Sequence, residues 1–271
     1  MSRSYILIDT TLLGYPVDKP WIKRRRKPTW VAAIYGRDAI VVSPILIDVE
    51  RAWHCNRIDA VMALVNATSP QLGISFIETE LTLNEVLLHL RQFICIQTEE
   101  GIELTLRFAD CIVLANLAVL LTSKQWSWLV APFESWKVHS RDGKLKSLPI
   151  LKVESPSRIP LLLSEIQISA LRDAFGADQL LANLRKLRPE HGSEYSTMQA
   201  HQYAEQTRQI WLSAGHEENT DLLLFARHVF ETQGRLLLHP GLKSVLEQSD
   251  PILRQKDLQR LASHHCGGTK R

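Results

Sequence analysis

A chain of 271 residues with 45% hydrophobic content can bury a sizeable core and is long enough for one large domain or two small ones, so nothing in it demands disorder. Its formal net charge of +3, from 32 basic against 29 acidic residues, is too small to imply a nucleic-acid or membrane role for the whole molecule and leaves any such role to local clusters. The four cysteines, Cys55, Cys95, Cys111 and Cys266, are far apart and form no Cys-x-x-Cys pair, so they read as buried thiols of a reducing compartment.

Met1 to Asp9 holds one arginine and a short apolar run, which does not make a signal peptide, and no segment reaches membrane-spanning length. The expected location is the cytoplasm. Tyr5 to Ile8 reads as a strand, with Asp9 and Thr10 ending it or capping a short helix. A polar segment follows, with Lys23-Arg24-Arg25-Arg26-Lys27 between Pro20 and Pro28; five adjacent cations repel one another and belong on an exposed loop. Ile40 to Asp48, interrupted by Pro44, suits an edge strand or an extended loop. Arg51 to Val65 has helical spacing, and Gly73 to Ile77 is a short strand.

Thr82, with Glu85 three residues on, forms a capping box for a helix whose buried face is Leu83, Val86, Leu87, Leu90 and Ile94. Ile94–Ile96 and Ile102–Phe108 flank Thr98-Glu99-Glu100-Gly101 as a hairpin. Within it Leu104, Leu106 and Phe108 alternate with Thr105 and Arg107, the period of a half-buried strand. Asp110 falls where a helix N-cap is wanted, and the next run, Ile112 to Leu121, is apolar on nearly every side, as in a helix enclosed by sheet and neighbouring helices. A second hairpin runs from Trp136 to Ile150 and turns at Asp142-Gly143.

The composition shifts at Glu154 to Pro160. Beyond it, Ser164 caps a helix that Gly176 ends, Leu180 to Leu187 mark another, Glu194 to Ala214 a third, and Asn219 or Thr220 opens a fourth that runs to Phe230, the last two closed by Gly215 and Gly234. Two short helices follow His239-Pro240-Gly241, the last with Pro251 in its first turn. The pattern is α+β: an N-terminal mixed α/β lobe with a small sheet over 1–153, a linker at 154–160, an all-helical C-terminal lobe over 161–265, and a frayed tail at 266–271.

Arg107 and Asp110, three apart at the join of strand and helix, suit a structural ion pair more than a catalytic one, because no second acid, histidine or glycine-rich loop is near in sequence. His264-His265-Cys266 has the look of a metal half-site, but its only candidate complement is His54-Cys55, without the tidy spacing zinc requires, and a frayed tail is the better reading. No nucleophile elbow, zinc-protease motif, phosphate-binding loop or dinucleotide fingerprint occurs. The expectation is therefore a chain without catalytic residues, cofactor or metal. Two binding features stand out. The basic run Lys23, Arg24, Arg25, Arg26 and Lys27, flanked by Trp21 and Trp30, suits an acidic protein surface or single-stranded nucleic acid, or is a solvated loop. Trp126, Trp128, Phe133 and Trp136 are either core beneath the hairpin or aromatic anchors for a partner.

The order of these elements resembles the domain-of-unknown-function 4123 family, whose members are adaptor chaperones for effectors of the bacterial type VI secretion system. The family opens on a strand like Tyr5-Ile6-Leu7-Ile8-Asp9, has a helix like Leu83 to Phe93, and then an acidic-Gly turn like Glu100-Gly101. Its most recognisable run, Arg-Phe-Tyr-Asp-Pro before an apolar helix, corresponds to Arg107-Phe108-Ala109-Asp110-Cys111, with Ala109 and Cys111 in place of the usual tyrosine and proline. A later Gly-Pro-hydrophobic segment ending in tryptophan corresponds to Ala131-Pro132-Phe133 to Trp136.

The resemblance implies a non-enzymatic cytoplasmic protein that binds and stabilises a specific toxic effector and helps to load it onto the VgrG spike, at its C-terminal extension or a PAAR-type tip. It makes Arg107, Phe108 and Asp110 structural motif residues. The partner-facing candidates are Lys23 to Lys27, Trp126, Trp128 and Trp136. The competing expectation is a nucleic-acid-binding regulator that uses loop 23–27; a membrane is not an expected partner.

Overall fold

The computed structural model describes residues 2–13, 28–68, 71–152, 161–187, 195–217 and 220–266. The chain divides into two compact units, one ending at Leu171 and the other beginning at Arg172. The fold is α+β as the patterning predicts, with strands confined to the first unit among the described residues.

Unit 1 is built on a six-stranded antiparallel sheet in the order β2-β3-β1-β4-β7-β8, made of β1 (Arg3–Ile8), β2 (Val31–Ala33), β3 (Ile45–Asp48), β4 (Ile74–Thr79), β7 (Ser135–His139) and β8 (Leu145–Ser147). The unbroken apolar run of β1 has a simple cause. Tyr5 and Leu7 point into one core with Leu46 and Ile77, while Ile6 and Ile8 point into another with Ile45, Ile47 and Ile74, so both faces of the sheet are covered. The second core takes its helical side from α1 (Val49–His54) and α2 (Ile58–Ala67), through Ala52, Val61 and Leu64. The first takes it from α3 (Leu83–Arg91), α4 (Cys111–Leu120) and α5 (Ser123–Val130).

A smaller sheet, in the order β6-β5-β9, joins β5 (Cys95–Thr98), β6 (Glu103–Thr105) and β9 (Leu162–Leu163). The parallel pairing of β9 with β5 brings the chain back into unit 1 after residue 160. The helical segment expected from 161 therefore begins with a strand, because Leu161 and Leu163 are buried in the unit 1 core. The expected linker lies outside the described residues.

Several local signals act as expected. Thr82 and Glu85 form the capping box of α3, and Asp9 caps the 3-10 turn Thr10–Leu12. Gly101 and Gly143 take the positive φ of the two hairpin turns. Other expectations are corrected. The strand containing Ile45–Asp48 is interior, between β2 and β1, because Pro44 precedes it and removes no ladder donor. Arg51–Val65 is two helices, broken at Asn56 with φ 53. The strand expected over Ile102–Phe108 is confined to Glu103–Thr105, and Leu104 is exposed; only Leu106 and Phe108 of the alternation are buried. Helix α4 is not enclosed: Cys111, Leu114 and Leu117 face the core, while Val119 is 81% exposed. Cys55 and Cys95 are exposed, the first capping α1 and the second on the outward side of β5, which leaves Cys111 as the buried thiol among the described cysteines.

Unit 2 packs the C-terminal part of α6 (Glu165–Leu187) with α7 (Thr197–Ser213), α8 (Thr220–Glu231), α9 (Leu242–Leu246) and α10 (Pro251–Cys266) around Leu181, Leu184, Trp211, Phe225, Val229 and Leu261. Gly176 does not end a helix; α6 runs through it. Its missing side chain makes room for Arg208, whose Nε would collide with a Cβ at that position and whose guanidinium pairs with Asp173 at 2.6 Å. The last helix is long, not short, spanning 16 residues. Gly234, at φ 78, ends the segment after α8 and accepts the ring of Tyr203 against its backbone.

Candidate functional site

The residues that the sequence singles out fall into three groups. Lys23, Arg24, Arg25, Arg26 and Lys27, with Trp21, lie outside the described residues. Their other flanking aromatic, Trp30, is 5% exposed in the core between the sheet and α1–α2, so it offers no stacking face to a ligand.

Trp126, Trp128 and Trp136 belong to the other core, and their expected partner-facing role is corrected. Each tryptophan is at most 9% exposed. Trp126 donates its indole N–H to the Pro149 carbonyl at 2.8 Å, and Trp136 donates to Ser75 Oγ at 3.0 Å. Trp128 packs edge-on to Phe93, and Phe133 edge-on to Trp136. Satisfied indoles in edge-to-face contact are what a packed interior requires. His89 completes the row between Phe93 and Phe133. Its Nε2 lies 2.8 Å from the Leu129 carbonyl, and since that oxygen can only accept, Nε2 carries the proton. Burial lowers its pKa and keeps the ring neutral, although the carbonyl pulls the other way.

Arg107 and Asp110 come together with a third residue that spacing did not reveal. Arg107 Nη2 donates to Asp9 Oδ2 at 2.8 Å and to Thr11 Oγ1 at 3.1 Å, but approaches Asp110 Oδ2 only to 3.9 Å. Asp9 Oδ1 is taken by the Thr11 amide at 3.0 Å and the Thr11 hydroxyl at 2.6 Å. Asp110 Oδ1 accepts from the Ile112 and Val113 amides as the N-cap of α4. One half-exposed guanidinium thus clasps the turn after β1 to the entry of α4, 98 residues apart. Burial alone would lower the Arg107 pKa, but the hydrogen bond and charge of Asp9, with the charge of Asp110, outweigh it and raise it. Burial raises Asp110 against the pull of the Ile112 amide and Arg107. The Cys111 thiol, hydrogen-bonded to the Ile74 carbonyl at 3.1 Å, is pushed up to about 12, first by burial. These groups answer one another's charges and hydrogen-bonding needs. No group of three or more histidine, cysteine, aspartate or glutamate side chains suited to a metal occurs among the described residues. No helix among them is long and apolar enough to cross a membrane.

Sequence reasoning missed a groove of about 380 Å³ at the β2 edge of the six-stranded sheet. Strand β2 bonds to β3 through Trp30 and Ile34, whose partners are the Asp48 amide and the Pro44 carbonyl. By alternation, Val31 and Ala33 turn their main-chain groups away from β3, and no described strand pairs with that side. The groove is floored by Val31, Ala32, Ala33 and Ile40, walled by Leu83 and Leu87 of α3, and rimmed by Tyr35. Its charged lining among the described residues consists of Arg37, Arg51 and Arg91. Arg91 is held by main-chain carbonyls, Nε on Ile34 at 2.8 Å and Nη2 on Ala33 at 3.2 Å, and Arg51 by the Thr29 carbonyl at 3.2 Å. No signal in the sequence announces the groove, because its three arginines come from separate elements brought together by the sheet edge.

No curated protein and no solved structure matches this chain. The family model described as Domain of unknown function (DUF4123) matches residues 15–128, the stretch that carries β2, the groove, Arg107 and Asp110, and this family, which the sequence resembles, is one associated with type VI effector adaptors.

Proposed function

We propose that this protein is a non-enzymatic adaptor of the type VI secretion system that binds a specific toxic effector in the cytoplasm, stabilises it and helps to load it onto the VgrG spike. The observation that carries the reading is the match of residues 15–128 to a family associated with such adaptors. Two structural features agree with it. The Asp9–Arg107–Asp110 cluster has the form of a clasp, with each carboxylate occupied by backbone or side-chain donors. The recessed surface at the β2 edge combines an apolar floor with cations, the chemistry of a protein-docking surface. An adaptor needs one surface for cargo and another for the spike or its PAAR-type tip, and two compact units offer distinct surfaces for these tasks.

The experiment is co-expression of the full chain with candidate effector and VgrG spike proteins, followed by affinity capture. Retention of either supports the reading; retention of neither removes it.

A further inference from the structure

We infer that the groove along the β2 edge that no described strand covers docks an extended, acidic peptide segment of a partner protein, which adds to the sheet as a short strand beside Val31 and the Ala33 N–H. As the docking mode of the adaptor's own partner, the inference rests on the function proposed above; as a peptide site, it stands on the groove.

Three observations converge on that occupant. First, Val31 aims its N–H and C=O, and Ala33 its N–H, outward at an edge that no described strand covers, the Ala33 carbonyl being held by Arg91, and Ala32, Ala33 and Gly36 keep side-chain bulk low along it. An extended backbone is the ligand that matches such an edge, with its alternate side chains falling into the groove beside it. Second, the groove's charged lining among the described residues is cationic. Arg91 is oriented by two backbone carbonyls and Arg51 by one, while their charges remain unmatched by any carboxylate at hydrogen-bonding distance among those residues. Preoriented guanidinium groups take carboxylates well because little side-chain freedom is lost on binding. Third, the apolar lining includes Leu83 and Leu87 of the walls and Ile40 of the floor, which suit apolar side chains placed between the acids. A nucleic-acid strand would use the arginines but not the edge or the apolar walls. The aromatic ring on the rim is Tyr35, too little for the run of stacking faces that single strands use.

The test is fluorescence anisotropy of the full chain with a short labelled peptide that alternates glutamate with threonine and valine, beside a lysine-for-glutamate counterpart and a single-stranded oligonucleotide of matched charge. Saturable binding of the acidic peptide alone is expected, weakening with salt. Arg37→Glu, on an exposed turn, should weaken it about tenfold, the size of one charge-assisted contact. Ala33→Pro, which removes an outward N–H, should weaken it at equal salt dependence. Unchanged far-ultraviolet circular dichroism and melting establish that each variant is folded, and Arg37→Glu serves if Ala33→Pro is not.

Equal binding of the acidic and basic peptides, no saturable binding, or wild-type affinity in Arg37→Glu overturns the inference. Stronger binding of the oligonucleotide, lost in Arg37→Glu, overturns it in favour of nucleic acid. Partner capture that survives in Arg37→Glu while peptide binding is lost removes the groove as the docking mode and leaves the adaptor function standing. Peptide binding without capture of either partner does the reverse.

Discussion

Replacing Arg107 by methionine keeps the apolar stem and deletes the guanidinium, which leaves the Asp9 carboxylate, 3% exposed, with the Thr11 amide and hydroxyl as its remaining donors. Breaking a fully buried pair costs about 3–5 kcal/mol, because one charge is stranded. Arg107 is 50% exposed and water screens it, so the expected loss is about 2 kcal/mol. Asp110→Asn should cost less than about 1 kcal/mol, since asparagine also caps a helix and the lost ion pair is 3.9 Å long. The decisive quantity is the coupling energy. Urea unfolding of Arg107→Met, Asp9→Asn and their combination should give about 1–2 kcal/mol, against less than about 0.5 kcal/mol for the cycle of Arg107 with Asp110. A larger coupling to Asp110 than to Asp9 would refute the clasp as described.

Other perturbations test separate parts of the structure. Gly176→Ala would ordinarily stabilise a helix interior by about 1 kcal/mol, but here the new Cβ must displace Arg208, so thermal melting should show destabilisation instead; a rise in melting temperature contradicts the packing described. Because burial lowers the His89 pKa below its unfolded value near 6.5, the unfolded chain binds more protons as pH falls through that region. Stability should therefore decline on acidification below about 6.5, less steeply in His89→Gln, and an NMR titration placing His89 at or above its ordinary value would overturn this. In a Cys266→Ser background, a thiol reagent at mild alkaline pH should modify Cys55 and Cys95 at once and Cys111 only on unfolding; rapid modification of a third thiol would contradict its burial and raised pKa.

Legibility in the sequence followed the range of the interaction. The capping box at Thr82 and Glu85, the Asp110 cap and the Gly143 turn depend on neighbours within a few residues, and the chain reads them directly. Gly176 misled because a mid-helix glycine and a terminating one look alike until Arg208, 32 positions away, is seen against it. The four aromatics left two readings open, since a tryptophan wanted by a core and one wanted by a partner have the same spacing; hydrogen bonds to Pro149 and Ser75 decide for the core. Arg107 and Asp110 were visible as a pair, but the stronger partner, Asp9, is contributed by the first strand's end. The groove was invisible for the same reason, because a sheet edge exists only once strand order is fixed.

The proposal that this chain is an effector adaptor stands or falls on purifying it after co-expression with candidate effector and VgrG spike proteins and measuring what remains bound by size-exclusion chromatography with light scattering. A stable complex containing the effector, the spike or both is expected, with a soluble effector yield that falls when the chain is omitted. A chain that elutes alone, with effector yield unchanged by its presence, would contradict it.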